Sequence, residues 1–247
     1  MAGERLDKVL AKHGFGSRKD AQKLVRREGV LINGQVCHSP DQHVNLDCDT
    51  VEVAGQVLEL RRHLHLMMNK CGGVVCSAKD GLHSTVYDLL EEGLRHQFLG
   101  GSLHLVGRLD IDTEGLLIFT TDGTMTHRLT SPKSHISKKY LVTLRDAVAA
   151  EKQQEIVEQF FQGITIAPEG DDGEYLCKSA ILEWISENQC YLTITEGRYH
   201  QVKRMMAAVG NQVTALKRVA MGKLVLDSSL EPGSYRELTA EELELLG

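Results

Sequence analysis

Three segments of the 247-residue chain carry side chains whose types and spacing suit chemistry. The first, GRLDIDTEGLLIFTTDG (107–123), sets an Arg-Leu-Asp triplet in a loop ahead of an apolar run. A carboxylate on a loop backed by a rigid strand is well placed to meet a substrate. Any single acid here reads first as a turn or cap residue, and that reading is preferred for Asp112 and Asp122. The second segment, SKKYLVTL (137–144), puts Tyr140 on a strand after two lysines, where by itself it reads as packing. The third, TEGRYHQVKRMMAAVGN (195–211), is a strand and turn running into a basic helix. Arg198, His200, Lys203 and Arg204 gather at its start, while Met205, Met206 and Val209 face inward. Helix N-termini and adjacent cations favour anions such as phosphate.

The elements that must position these groups fall into two domains. Residues 5–32 read as two short helices and a turn into a strand, with Leu6, Val9 and Leu10 on one face of the first helix. Gly14 and Gly16 break that helix, Ser17 caps the next, and Ala21, Leu24 and Val25 form its apolar face. VLINGQVC (30–37) is a hairpin signal with Asn33-Gly34 at its turn, and TVEVAG (50–55) is a further strand. Residues 1–56 thus form a small α/β module, and 57–64 read as a linker. The second domain, 65–247, opens with HLMMNK (65–70) and a Gly72-Gly73 turn. Strand-like runs follow at 103–106, 115–121, 138–144, 178–185, 190–195 and 223–227, with helical runs at 84–91, 147–161 and 199–209. Clustered strands with irregularly interspersed helices predict an α+β fold whose sheet is mixed and mainly antiparallel.

Composition excludes several classes. Hydrophobic content of 42% and charged content of 25% are those of a globular chain with a sizeable core. No run approaches the roughly 20 apolar residues that span a bilayer, and MAGERLDKVL lacks a secretory signal, so a soluble, cytoplasmic protein is expected. The six cysteines lack a repeating spacing and read as reduced thiols. No CxxC pair exists, which argues against zinc at Cys37, His38, His43 and Cys48. The net charge of −6 hides local basic patches. Residues 1–30 hold eight cations against four carboxylates, and 198–223 hold six cations with no acid. Such segregation suits a polyanionic partner.

Taken together, the three segments resemble the family of pseudouridine synthases that modify ribosomal RNA. GRLD followed by three residues and Gly-Leu-Leu is a specific signature of that family, and GRYHQVKRM is similar to the form of its bacterial small-subunit members. RLDKVLAKHGFGSRKDAQKLVRREGVLINGQV (5–36) resembles the S4 RNA-binding domain. The resemblance implies that a specific uridine of small-subunit ribosomal RNA is isomerised with no cofactor and no metal. It implies Asp110 as the reacting carboxylate, either attacking the sugar or removing a sugar proton. Lys203 would be the cation that keeps Asp110 ionised against burial. Tyr140 would stack on the target base and act in deprotonating C5, and Arg108 would help hold the flipped nucleotide. RNA contacts are expected from Arg198, His200, Gln201 and Arg204, and in the first module from Arg5, Lys8, Ser17, Arg18, Lys19, Lys23, Arg26 and Arg27. The partner expected is ribosomal RNA or an assembling ribosomal particle, bound by a monomer.

Two other readings compete. A non-catalytic RNA-binding or assembly factor would use the same N-terminal module, but need not keep Asp110, Tyr140 and Lys203 together. A glycoside hydrolase-like enzyme would need a second carboxylate opposite Asp110, and no convincing one is present.

Overall fold

The computed structural model describes residues 3–46, 48–58, 60, 63–91 and 103–246. Two compact units are built from it, Met1–Leu64 with Leu90–Leu103, and His65–Leu89 with His104–Gly247.

In the first unit, helices Leu6–Lys12 and Arg18–Glu28 lie over a four-stranded antiparallel sheet. Ser17 caps the second helix through a reciprocal pair with Asp20, as its position suggests. Asn33 and Gly34 both take positive φ, 49° and 77°, which a two-residue hairpin turn of this hand requires. Leu6, Leu10, Ala21 and Val25 meet Val30, Val44, Val51 and Val53 in one core. The expected linker at 57–64 begins inside this sheet: Gln56–Leu58 pairs with Val51–Val53, and Leu58 and Leu60 pack into the same core. Its alternating valine and leucines serve a strand rather than a connection.

In the first turn of the first helix, Asp7 is fully buried. Arg5, Arg18 and Gln22 converge on its carboxylate at 2.7–3.2 Å. The Arg5 hydrogen bond, joined by those of Gln22 and Arg18, outweighs burial and holds this carboxyl well below its usual range.

The second unit is organised by a mixed sheet of nine strands among the described residues. Its order runs Ile181–Trp184, Gln189–Ile194, Lys138–Leu144, Val213–Met221, Glu114–Thr120, His65–Lys70 and Tyr235–Glu237, with two short strands at the side. The pairings are antiparallel except where Lys217 and Arg218 run parallel to Glu114 and Gly115. There the backbones nearly touch. Gly115 has φ 99°, and a Cβ at this position would stand 2.2 Å from the Arg218 carbonyl oxygen. On one side of the sheet Met67, Leu116 and Ile118 pack with Met125 and Leu129 of helix Gly123–Thr130. Helix Ala150–Gln162 buries Ile156 and Phe160 and packs on strand Ile181–Trp184, while helix Gln201–Ala208 packs on Val213–Met221.

The α+β architecture is the expected one, with differences in detail. The run 84–91 forms turns rather than a helix, because Asp88 accepts from the Thr85 amide and hydroxyl and closes a local turn. Strand Val213–Met221, the longest in the sheet, is absent from the sequence-based reading, which counted Lys217 and Arg218 within the local basic patch of 198–223. In fact Arg218 is buried, and its Nε donates to the Leu116 carbonyl at 2.8 Å. No helix among the described residues is long and apolar enough to cross a membrane.

Candidate active site

The loop 107–113 is held from beneath by Lys70, the last residue of strand His65–Lys70. Lys70 is fully buried, and its ammonium donates to the carbonyls of Cys71, Ile111 and Thr113 at 3.0, 3.2 and 2.8 Å. Burial pulls its pKa below the ordinary lysine value, against the opposing pull of nearby thiols and carboxylates. Leu109 N donates to the Cys76 thiol at 3.3 Å, and Gly73 N donates to the Ile111 carbonyl at 2.8 Å. Hydrogen bonds at three backbone points of the loop, Leu109 N and the Ile111 and Thr113 carbonyls, give Asp110 a defined position.

Around Asp110 charges alternate. Lys203 Nζ lies 3.2 Å from Asp110 Oδ2 and 2.7 Å from Asp112 Oδ1. Asp112 is therefore an ion-pair partner of Lys203 as well as a loop residue, a role its place in the turn did not suggest. Burial raises the Asp112 pKa, but the hydrogen bond and charge of Lys203 outweigh it and leave the net shift downward. For Lys203 burial lowers the pKa, while Asp112 and Asp110 together carry it above the lysine norm. His200 Nε2 stands 3.8 Å from Asp110 Oδ2, and its Nδ1 is 2.8 Å from Glu169 Oε1. Asp122, by contrast, caps helix Gly123–Thr130 through the amides of Thr124 and Met125.

Asp110 opens into a cleft lined also by Arg108, Thr113, Tyr140, Arg198, His200 and Gln201. Tyr140 comes from the middle of strand Lys138–Leu144 and is largely buried. Thr113 Oγ1 is buried without a hydrogen-bond partner. Arg108 is exposed and makes no hydrogen bond or ion pair among the described residues. Arg198 lies over the Tyr175 ring at 3.9 Å and reaches Asp172 at 3.3 Å. Gln201 is buried, accepting from Arg198 N and donating to Glu196, so it shapes the turn beside the cleft. Arg204 departs from the expected RNA contacts. Its buried guanidinium is consumed by Asp172 and by the carbonyls of Ala167, Gly173 and Tyr199. It ties the 167–173 loop to the helix instead of facing solvent.

In the first unit the expected cations also divide. Arg5 and Arg18 are engaged by Asp7, and Lys8 by Glu4 at 2.6 Å. Ser17 is spent on its helix cap. Lys19, Lys23 and Arg26 are exposed and unpaired among the described residues, and Arg27 touches only its neighbour Glu28 at 3.4 Å. No group of three or more potential metal-ligating acids, histidines or cysteines gathers among the described residues.

A family model described as RNA pseudouridylate synthase matches residues 64–208, which include nearly all the residues lining this cleft. The chain belongs to that family. An S4-domain model matches residues 4–51 of the same synthase. An uncharacterized RNA pseudouridine synthase, YtzG, of Bacillus subtilis is 44% identical over 248 residues, covering 98% of each chain. Ribosomal small subunit pseudouridine synthase A of Escherichia coli K12 is 41% identical over 239 residues, covering 97% of this synthase and 98% of the relative. A crystal structure of pseudouridylate synthase superposes with a TM-score of 0.65 at 40% identity, covering 98% and 99% of the two chains. The fold class and the family resemblance read from the sequence are thus those of a pseudouridine synthase with an N-terminal S4 domain. Sequence reasoning missed Lys70 and Glu169. An apolar strand ending in Lys and two turn glycines was the available signal for the first, and none marked the second.

Proposed function

We propose that this pseudouridine synthase isomerises one uridine of small-subunit ribosomal RNA, with Asp110 as the reacting carboxylate. The observation that carries this reading is Asp110 at the mouth of a cleft, 3.2 Å from a lysine ammonium and sharing the cleft with Tyr140. The reaction breaks the N1–C1′ bond and joins C5 to C1′; C5 gives up a proton and N1 gains one. No atom is added or lost overall. Asp110 either attacks C1′ or takes a sugar proton, and both routes consume its negative charge. Lys203 keeps that charge in place as RNA excludes water from the cleft. Tyr140 stacks on the target base and acts in removing the C5 proton, and Arg108 holds the extruded nucleotide. Lys19, Lys23 and Arg26 supply phosphate contacts that add affinity more than sequence choice. The enzyme acts as a monomer in the cytoplasm and needs no cofactor.

Full-length relatives bearing the small-subunit name support the choice of RNA. The test is a base-resolution map of pseudouridine in ribosomal RNA from cells with and without this gene. One small-subunit position should lose its modification. A change confined to large-subunit RNA would overturn the substrate. An unchanged map with RNA binding intact would favour the assembly-factor reading.

A further inference from the structure

His200 is the one residue at the cleft whose backbone is itself strained. It takes φ 47° and ψ 28°, the left-handed region, and opens helix Gln201–Ala208. That region is uncommon for a residue with a Cβ and persists only where surroundings enforce it. Here the ring is held by two contacts and faces a third group. Glu169 holds Nδ1 at 2.8 Å, Tyr199 stacks on the ring at 3.8 Å between centroids, and Nε2 faces the Asp110 carboxylate at 3.8 Å. The Glu169 turn is anchored in its own right by reciprocal backbone bonds to Asp172, whose side chain is pinned by Arg204 and Arg198.

The tautomer follows from this arrangement. A proton sits on Nδ1 because only a donor satisfies the Glu169 carboxylate. Nε2 then presents either a lone pair or a second N–H towards Asp110. Neutral imidazole turns a lone pair to an anion, whereas imidazolium gives Asp110 a second cation beside Lys203. Lys203 alone is divided between two carboxylates, Asp110 at 3.2 Å and Asp112 at 2.7 Å.

We propose that the Glu169–His200 pair is a proton-loaded positioning device, supplying Asp110 with a second, titratable counter-charge that holds it ionised and oriented for the isomerisation. This rests on Asp110 being the reacting group. His200 acts through Asp110 and is a positioning residue, distinct from the phosphate contact its place in a basic run suggests. The charges bearing on its ring are Glu169 and Asp172 from the 167–173 loop, Asp110 and Asp112 from the 107–113 loop, and Lys203 and Arg204 from its own helix. Glu169 meets Nδ1 directly and Asp110 stands 3.8 Å from Nε2; Lys203 and Arg204 are engaged with carboxylates, while Arg108 and Arg198 line the same cleft.

The experiment combines a titration with a rate profile. In the full-length protein, the imidazole C–H signals of His200 are followed by NMR against pH in wild type, Asp110→Asn and Glu169→Gln. Removing either anion should shift that titration. An unmoved midpoint in Asp110→Asn overturns the coupling, whatever the substrate proves to be. Single-turnover release of tritium from C5 is then measured with saturating enzyme on uridine-labelled small-subunit RNA. His200→Asn is the variant of choice, since Asn tolerates the left-handed backbone and stays uncharged. Its rate should fall at least tenfold below the wild-type midpoint, and the two profiles should converge above it. A loss equal at every pH, or one confined to half-saturation with the bound-state rate intact, would return His200 to a structural or RNA-contact role. A wild-type enzyme that releases no tritium while the midpoint does shift would refute the reaction assignment and leave the coupling standing.

Discussion

Asp7 and Asp110 are both carboxylates set among cations, one in each unit, and they are built to opposite ends. Asp7 is sealed at 0% side-chain exposure, and both its oxygens are taken by two guanidinium groups and an amide. Asp110 keeps 30% of its side chain exposed. Its Oδ2 faces a lysine and a histidine, and its Oδ1 accepts no hydrogen bond among the described residues. Bidentate arginine contacts lock a carboxylate's plane and use up its lone pairs. Point contacts from an ammonium fix the charge and leave a lone pair for chemistry. A carboxylate that is fully satisfied belongs to the fold, and one that is charge-balanced but only half satisfied can react.

That contrast can be broken most sharply at Asp110. Asp110→Asn should lower single-turnover conversion by at least about a thousandfold, because the amide keeps the shape and loses the charge that the reaction consumes. The neighbouring Asp112→Asn should cost less than about tenfold, since it frees Lys203 to serve Asp110 alone. Circular dichroism should find both folded. A folded Asp110→Asn at wild-type rate would end the mechanistic assignment. The supports come next. Lys70→Met removes the donor to three carbonyls around the loop and should cost about a hundredfold in rate, as small misplacements of reacting groups do. Half-saturation for RNA should move little, and a large change there would point to a binding role.

For Asp7 the expected losses are in stability. Asp7→Asn should destabilise the first unit by about 1–3 kcal/mol, the worth of hydrogen bonds to charged groups, read by hydrogen exchange in peptides from 6–32. Its folded pKa is depressed, so its contribution is present above the unfolded carboxylate value of about 4 and fades as pH falls towards the lower folded value. The variant should lack that acid-side loss of protection. The smallest effect is expected on the open face of the S4 unit. Replacing Lys19, Lys23 and Arg26 together by Ala should weaken RNA binding across sequences and reduce the slope of log affinity against log salt by about 2–3. Arg18→Ala should act through stability, being engaged by Asp7. An unchanged slope in the triple variant would remove this face from RNA binding.

What could be read in advance was local. Ser17 with Asp20 three residues on, and Asn33-Gly34 between apolar runs, specify their structures within a few residues. The signature around Asp110 was equally compact, and its partner Lys203 followed only by family analogy. Missing elements were those whose reason lies far along the chain. Strand Val213–Met221 is broken in pattern by Lys217 and Arg218, and Arg218 is tolerable there because the Leu116 carbonyl receives it. Arg204 looked like a surface cation because Ala167, Asp172 and Gly173, which bury it, are more than thirty residues upstream. The charge count was right and its use was not. Glu169 finds His200 only once the 167–173 turn has closed on Arg204.

The parallel contact of Lys217 and Arg218 with Glu114 and Gly115 has a consequence in time. It joins segments about a hundred residues apart, and closing so long a loop is entropically late compared with hairpins and helices. Loop 107–113 hangs from one side of this seam, and Tyr140's strand from the other. Until the seam shuts, the acid and the ring share no frame. During refolding, helical signal should therefore return first and catalytic competence last, on the clock set by the seam where Gly115 lets two distant backbones meet.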